Sequence, residues 1–234
     1  SFEDGQGSVG PWAARTAGAW GNALEVSICA TSTAFEQNIT TTNLVNGAGS
    51  SGDTTVTVDD VDDSSYGINV GDIVSFFTDS GFGTYATNHV GQEYEVTARS
   101  TSDNTITIRK KDDPNSGGLN GSLADNSYIR RRWKYYDLFN AAPGTSAWAT
   151  ENNKGTADEM HVVVADTTGE ITGFSNAVAS QRTTAVIETY EAVSKNSTAK
   201  TAQGQTNYYR SVINTQSQFV SVSYTHLTLP TSNG

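Results

Sequence analysis

The sequence is poor in cysteine, in basic residues and in long apolar runs. Its one cysteine, Cys29, cannot form an internal disulfide, and the apolar run LEVSICA around it predicts a buried strand cysteine. No apolar run has the length of a membrane span, so no membrane anchor is expected. Fourteen Lys and Arg stand against 25 Asp and Glu, a net charge of −11, and this balance disfavours nucleic acid as a partner.

Apolar and aromatic residues are frequent enough to predict a folded chain. Hydrophobic residues make up 35% of the 234 positions, with 4 Trp, 10 Tyr and 8 Phe.

The two ends of the sequence predict that the chain is a fragment of a longer protein. The start, SFEDGQGSVGPW, lacks the basic and apolar regions of a secretory signal. Residues Val222 to Leu227 equal the translation of a transposon end used in library preparation, so we interpret 222–234 as sequencing-adaptor read-through.

Three regions of different composition predict an α+β protein, in which an all-β module interrupts a mixed sheet with a packed helix. Residues 1–50 form the first part of the core domain and 133–221 its continuation. Residues 51–132 consist of short alternating runs separated by turn signals, which predict an inserted small barrel or sandwich. Within it, EYEVTARSTSDNTITIRK predicts a hairpin with Tyr94, Val96 and Ala98 on one face.

The continuation of the core domain predicts two strands, a helix and a further strand. The run Val162 to Val164 favours a strand buried on both faces in the middle of a helix-covered sheet. A turn at 166–169 and a short return strand follow. Val186, Tyr190 and Val193 lie on one helical stripe, which predicts a helix. The segment NYYRSVINTQSQFVS then returns to strand-like alternation.

Four residues are candidate structural anchors. Trp20 is a large apolar side chain before the first strand, and Gly21 and Asn22 give the backbone freedom for a tight entry into it. Trp133 belongs to an aromatic cluster with Tyr135, Tyr136 and Phe139.

No catalytic group or cofactor is expected, and the chain is not predicted to be an enzyme. His89 and His161 could each act as a base, but no G-x-S-x-G elbow frames a serine, and core or hairpin-edge histidines are the better interpretation. An acidic run is a weak metal candidate, because it lacks the glycine and terminal glutamate of an EF-hand loop and is more typical of a solvated turn. Its members are Asp59, Asp60, Asp62 and Asp63.

The basic residues are clustered. Eight of the 14 Lys and Arg lie between Arg99 and Lys134, and RRRWK is the densest part. On a strand, Arg130 and Arg132 would share one face and Arg131 the other. We interpret them as candidate interface residues that contact an acidic neighbour, or as part of a solvated edge strand.

Four segments resemble the tail sheath proteins of contractile-tailed bacteriophages, most closely the long sheath proteins of T4-like marine phages. They are RTAGAWGNALEVSI, WKYYDLFNAAPGTSAWATENN, DEMHVVVADTTGEITG and VSKNSTAKTAQGQTNYYRSVIN. The resemblance covers about 10–36 and 133–220.

The resemblance implies a structural protein of the virion tail that is made in the bacterial cytoplasm. Its partners would be other sheath subunits, in hexameric rings, and the tail tube protein. Such a sheath contracts and drives the tube through the host envelope. The competing hypothesis is a β-module that binds a host-surface glycan or receptor through Tyr66, Phe76, Phe77, Phe82 and Tyr85.

Overall fold

The computed structural model describes residues 12–113, 117–177 and 179–223. The described chain is mostly β, with 32% strand, 13% helix and 11 strands in three antiparallel sheets. The predicted α+β class is therefore wrong. The chain divides into unit 1, Ser1–Thr31, Pro143–Ala177 and Thr184–Gly234, and unit 2, Ser32–Ala142 and Val178–Thr183.

The strands and helices are short. In chain order the strands are β1 (Trp12–Ala14), β2 (Leu24–Cys29), β3 (Glu36–Ile39), β4 (Thr55–Thr57), β5 (Ile73–Phe77), β6 (Tyr94–Ser100), β7 (Thr105–Lys110), β8 (Tyr128–Arg132), β9 (Glu159–Asp166), β10 (Val186–Ser194) and β11 (Val220–Val222). The α-helices are α1 (Ala19–Asn22), α2 (Ser32–Phe35), α3 (Ala147–Glu151) and α4 (Tyr209–Gln216). Across the described residues, none of these helices has the length and apolar composition of a membrane span.

Unit 1 is built on a three-stranded sheet with the order β10-β9-β2. Val162, Val163 and Val164 of the central strand are all fully buried, as the continuous valine run predicts. On the face of Val162 and Val164, α4 and β11 share one apolar core with the sheet. β11 pairs in turn with β1 as a two-stranded ribbon.

The helix predicted from Val186 to Val193 is strand β10. Its β-branched residues suit a strand, and it pairs with β9 along its length. A register shift between Tyr190 and Val193 inserts an extra residue. Both side chains therefore face the same core although they are three positions apart. The bulge reproduces a helical spacing within a strand, which explains the wrong prediction.

The strand predicted over NYYRSVINTQSQFVS is mostly helix α4. Tyr209, Val212 and Ile213 are its buried residues, and their spacing of three and four follows the helical period. Strand pairing returns only at β11, whose Val222 pairs with Trp12. Val222 is also the first residue of the predicted read-through, of which 224–234 lie outside the described residues.

The short return strand predicted after the turn at 166–169 is absent from described residues 167–177. Instead, the Asp166 carboxylate accepts hydrogen bonds from the backbone N–H groups of four residues in the following loop. These are Thr168 (3.1 Å), Gly169 (2.8 Å), Ile171 (2.8 Å) and Thr172 (2.8 Å). The N–H groups that a return strand needs for pairing are thus taken by one side chain, and β9 pairs with the later strand β10.

Unit 2 contains a six-stranded antiparallel sheet with the order β3-β8-β5-β6-β7-β4. Bridges from Val45 to Val58 and from Gly49 to Leu123 extend it beyond β4, towards the segment that precedes β8. The sheet thereby curls around one apolar core, which includes Phe76, Tyr94 and Ile129. Unit 2 includes the predicted module, 51–132, and also 32–50 and 133–142, and β3 in the first of these pairs with β8.

The predicted hairpin is present as β6 and β7, with Val96 opposite Ile108. Tyr94 and Val96 are buried as expected, but Ala98 is exposed. A register shift between Val96 and Ala98 turns the later residues over, so that Arg99 lies opposite Ile106.

Candidate functional site

The arginine-rich strand β8 lies inside the sheet of unit 2, between β3 and β5, and is not an edge strand. Arg130 pairs in register with Ser75 and Arg132 with Ile73, so these two arginines share one face, and Arg131 lies on the other. The face of Arg130 and Arg132 is the one opposite the apolar core, and we call it the outer face.

Arg132 sits between two carboxylates on the outer face. Its Nε donates to Glu36 Oε2 at 2.6 Å and its Nη1 to Glu93 Oε1 at 2.8 Å. The guanidinium also lies over the ring of Tyr136, 4.8 Å from its centroid.

Glu93 accepts hydrogen bonds from three side chains, those of Arg132, Lys111 and Tyr136. The Tyr136 hydroxyl lies 2.8 and 2.7 Å from its two oxygens, and Lys111 Nζ donates at 3.1 Å. Lys111 also lies 3.1 Å from Asp137. Burial favours the neutral carboxyl, but the Tyr136 hydroxyl and Lys111 outweigh it and hold the pKa of Glu93 below its usual value. Glu93 is thus held as an anion in a fixed ion cluster, which is unsuited to accepting and returning protons at neutral pH.

A second ion cluster occupies the same face. Glu95 receives Nε and Nη2 of Arg109 at 2.8 and 2.7 Å on one oxygen, and Arg182 on the other. Glu95 and Arg182 are both about 5% exposed. Arg182 comes from the segment Val178–Thr183, so this buried contact fastens that segment to unit 2.

The other two arginines are also bound within unit 2. Arg130 Nε donates to Asn38 Oδ1 at 3.0 Å, and its guanidinium lies 4.6 Å from the ring centroid of Phe77. Arg131 Nη2 donates to Gln37 Oε1 at 2.7 Å and to the Thr33 carbonyl at 3.2 Å. A partner that used these arginines would have to compete with contacts inside the chain, and their interface role stays a prediction.

The ion clusters involve residues that are not among the sequence-predicted site residues, namely Glu93, Glu95, Lys111 and Arg182. One of these ion pairs could be predicted from the sequence. In the predicted hairpin, Glu95 lies opposite Arg109, and opposite charges at facing positions indicate cross-strand ion pairs. Arg182 lies 87 positions from Glu95 in sequence, and no local pattern joins them.

The acidic run forms turns. Asp59 accepts the backbone N–H of Leu44 at 3.0 Å, and Asp60 that of Asp62 at 3.1 Å. Asp62 pairs with Arg99 at 2.7 Å. Asp63 accepts two backbone N–H groups, those of Ser65 and Tyr66, which lower its pKa. No group of three or more His, Cys, Asp or Glu with the geometry of a metal site occurs among the described residues.

The two candidate bases, His89 and His161, are buried. His89 Nδ1 lies 2.8 Å from the Tyr94 hydroxyl, and the His89 ring meets Phe76 edge-on in the apolar core. Burial lowers the pKa of His89 and outweighs the raising effect of nearby backbone groups. His161 Nδ1 accepts the backbone N–H of Ala192, within the bulge of β10, at 3.0 Å. His89 and His161 thus each have a structural position, in agreement with the core interpretation.

Unit 2 is expected to lose stability in mild acid because of His89. A depressed folded-state pKa means that the unfolded chain binds the proton first, so stability is complete above pH 6.5 and falls as the pH drops below it. His89→Gln keeps an acceptor for Tyr94 and does not titrate. Urea unfolding at pH 7.5 and 5.0 should give a smaller pH-dependent loss in this variant than in the wild type, and equal losses would contradict the assignment.

The aromatic residues of the glycan hypothesis lie mainly inside unit 2. Phe76 and Phe77 are fully buried and Phe82 is 8% exposed. Tyr66 is half-buried against the core, and Tyr85 stacks on Phe77 with ring centroids 4.4 Å apart. A glycan needs an open ring face, so this hypothesis would depend on Tyr66 and Tyr85 and stays a prediction.

The four anchor residues divide between core and surface. Trp133 is buried and packs on Tyr135 and Phe139, as an anchor should. Trp20 is 55% exposed, because the four-residue helix α1 holds it on the surface of unit 1. Gly21 is required there, since a Cβ would meet the Thr16 carbonyl at 2.2 Å. Asn22 is exposed, and its backbone N–H donates to the Gly18 carbonyl at 3.0 Å, closing the turn.

Asp158 joins distant parts of unit 1. Its carboxylate accepts the backbone N–H and the hydroxyl of Ser146 at 2.8 and 2.9 Å, and the Ser194 hydroxyl at 2.5 Å. Burial would raise the pKa of Asp158, but these hydrogen bonds outweigh it and lower the pKa. The next residue after Ser194, Lys195, donates through Nζ to the Ala30 carbonyl at 2.9 Å. One buried carboxylate thus ties together segments 12 and 36 positions away from it in sequence.

Comparison with known proteins assigns no family. No protein-family model matches the chain, and no curated protein matches it significantly. The tail-sheath resemblance therefore stays a prediction from the four segments quoted above.

Proposed function

We propose that the chain is part of a structural subunit of a contractile phage tail sheath, which polymerises around the tail tube and drives it through the host envelope. The observation that carries the proposal is the position of the segments that resemble sheath proteins. Three of them meet at Asp158, which belongs to one segment and binds Ser146 and Ser194 of two others. The fourth contains residues Leu24 to Ile28 of β2, all of which pair with β9.

This arrangement supports a family likeness over scattered chance matches. The contacts at Asp158 and between β2 and β9 are those expected of segments that derive from one folding unit. The block between them, which resembles sheath proteins less specifically, folds into unit 2 around its own core, together with residues 133–142 of the second segment. We interpret unit 2 as a peripheral module of the subunit. Other sheath subunits in hexameric rings and the tail tube protein would be its partners, and the virion tail its location.

Quantitative mass spectrometry of purified phage particles from the source of the sequence tests the proposal. Stacked rings require many copies per particle, so peptides of this chain should be comparable in amount to those of the tail tube protein. An abundant host cytoplasmic protein serves as the purification control. Absence from the particles, or a few copies as for a minor tail component, would rule out the sheath role.

A further inference from the structure

Unit 2 contains two Asn-Gly pairs whose surroundings differ. They are Asn46-Gly47 and Asn120-Gly121, and a third pair, Asn233-Gly234, lies outside the described residues. An asparagine that precedes glycine is chemically labile, because the glycine nitrogen can attack the side-chain amide carbon and no Cβ obstructs the approach. The attack closes a five-membered succinimide ring, so it needs space around that nitrogen and freedom of the adjoining backbone.

The Asn120-Gly121 pair is held too tightly to close this ring. Asn120 donates its backbone N–H to the Tyr94 hydroxyl at 2.8 Å and its Nδ2 to Gln92 Oε1 at 3.2 Å. Gly121 is buried, and a Cβ there would lie 2.3 Å from the Thr87 carbonyl oxygen. Ring closure would therefore require this packed segment to open first.

The Asn46-Gly47 pair has the space that the other pair lacks. Both residues are exposed. Within the described chain, no heavy atom beyond those of its chain neighbours lies within 4 Å of the position of a Cβ at Gly47. The Gly47 N–H donates to Asp125 Oδ1 at 2.7 Å, and Asp125 Oδ2 accepts from Asn126 Nδ2 at 2.9 Å, which holds the carboxylate in place. A carboxylate at this distance from a reacting N–H group meets the geometric requirement for a general base.

We propose that Asn46 is a site of spontaneous covalent modification, at which the Asp125 carboxylate is the base. The Gly47 nitrogen passes its proton to Asp125 and forms a bond to Cγ of Asn46. The bond from Cγ to the side-chain amide nitrogen breaks, and ammonia leaves with that proton. Water then opens the succinimide at either carbonyl, which leaves aspartate or isoaspartate in place of asparagine. The proposal goes beyond the proposed function, because it concerns the chemistry of unit 2 and not a location in the virion.

The modification would alter the closure of the unit 2 sheet. Asn46 lies between two bridges that extend this sheet, from Val45 to Val58 and from Gly49 to Leu123. Isoaspartate adds a methylene group to the backbone, so it displaces one bridge relative to the other. Chains that carry isoaspartate at this position should therefore unfold at a lower urea concentration than unmodified chains.

Peptide mapping by mass spectrometry, on the chain incubated in neutral buffer, tests the proposal. In the folded chain, Asn46 should convert at least ~10 times faster than Asn120, which reacts only when its segment opens. In denaturing urea the two should convert at similar rates, since each follows an aliphatic residue in the sequence. Asp125→Asn keeps an acceptor for the Gly47 N–H but is not a base, and it should slow the conversion of Asn46 by roughly tenfold or more.

Two control variants accompany these measurements. Asp62→Asn removes a carboxylate whose side chain is 52% exposed elsewhere in unit 2, and Asn46 should convert in it as in the wild type. Asn46→Gln should stay unmodified at position 46 over the same period, because the longer side chain closes a six-membered ring more slowly. Circular dichroism and melting of each variant show that folding is unchanged.

The results that would overturn the proposal are distinct from those that bear on the sheath role. An Asn46 that persists in the folded chain as long as Asn120 would overturn the site. Unchanged or faster conversion in Asp125→Asn would overturn the role of the base, since the hydrogen bond would then only restrain the Gly47 nitrogen. If Asp125→Asn fails to fold, the comparison of Asn46 with Asn120 in the wild type still decides the site. Abundance in purified particles is measured independently and decides the sheath role.

Discussion

Replacing Glu95 by glutamine is expected to destabilise unit 2 by about 3–5 kcal/mol, since one partner is removed from a buried ion cluster. Glu95 and Arg182 are each about 5% exposed, and Glu95 binds both Arg182 and Arg109. Glutamine has nearly the same shape but leaves the two guanidinium groups close together without the carboxylate. The measurement is the free energy of unfolding from urea denaturation.

An exposed ion pair provides the control for Glu95→Gln. Asp62 pairs with Arg99 on the surface of the same unit, and its side chain is 52% exposed. Asp62→Asn should cost less than ~1 kcal/mol, as solvated pairs do. The double variant Glu95→Gln with Arg182→Gln should recover part of the loss, because it removes a buried positive charge as well. Equal effects of Glu95→Gln and Asp62→Asn would contradict the assigned importance of burial.

Replacing Asp166 by asparagine is expected to destabilise unit 1 by about 2 kcal/mol and to lower its melting temperature by roughly 10 °C. Asp166 is fully buried, and four backbone N–H groups donate to it. Burial would raise its pKa, but these donors outweigh burial and lower the pKa to about 2. Asparagine has only one acceptor oxygen, and its side-chain NH2 group would face backbone N–H donors to which it cannot hydrogen bond.

The pH dependence of Asp166→Asn follows from that pKa. A lowered folded-state pKa contributes stability that is complete above pH 3.8 and is lost as the pH falls through about 2. The wild type and the variant should therefore differ most above pH 4, and their stabilities should converge near pH 2. Melting curves from pH 2 to 7 measure this. Asp79→Asn is the comparison, since Asp79 also accepts three backbone N–H groups but in an exposed loop, and its effect should be smaller.

Strands and turns with a simple alternation could be predicted from sequence. The run Val162 to Val164 predicts a buried central strand, and β6 and β7 form the predicted hairpin. Two of the errors come from β-bulges, which add a residue and alter the spacing. One bulge places Tyr190 and Val193 at helical spacing in a strand, and another turns Ala98 to the exposed side. A bulge has no reliable local signature, so the alternation alone misleads.

The ion clusters around β8 could be predicted only in part, and here the reason is not a β-bulge. The alternation of β8 gives the faces of Arg130, Arg131 and Arg132, but their partners come from distant strands. Glu36, for example, is 96 positions from Arg132. Residue type alone does not determine exposure either. The size of Trp20 predicts a buried anchor, but the short helix α1 holds its side chain on the surface. These features depend on tertiary pairing, which local patterns do not encode.

Immunogold electron microscopy of phage particles tests the central claim most directly. Antibodies raised against the whole chain would be applied to intact tailed particles purified from the source of the sequence, with pre-immune serum as the control. The sheath proposal predicts gold along the entire length of the tail, and over a shorter, wider segment in contracted particles. Labelling confined to the tail tip, to fibres or to the head, or none on tailed particles, would contradict it.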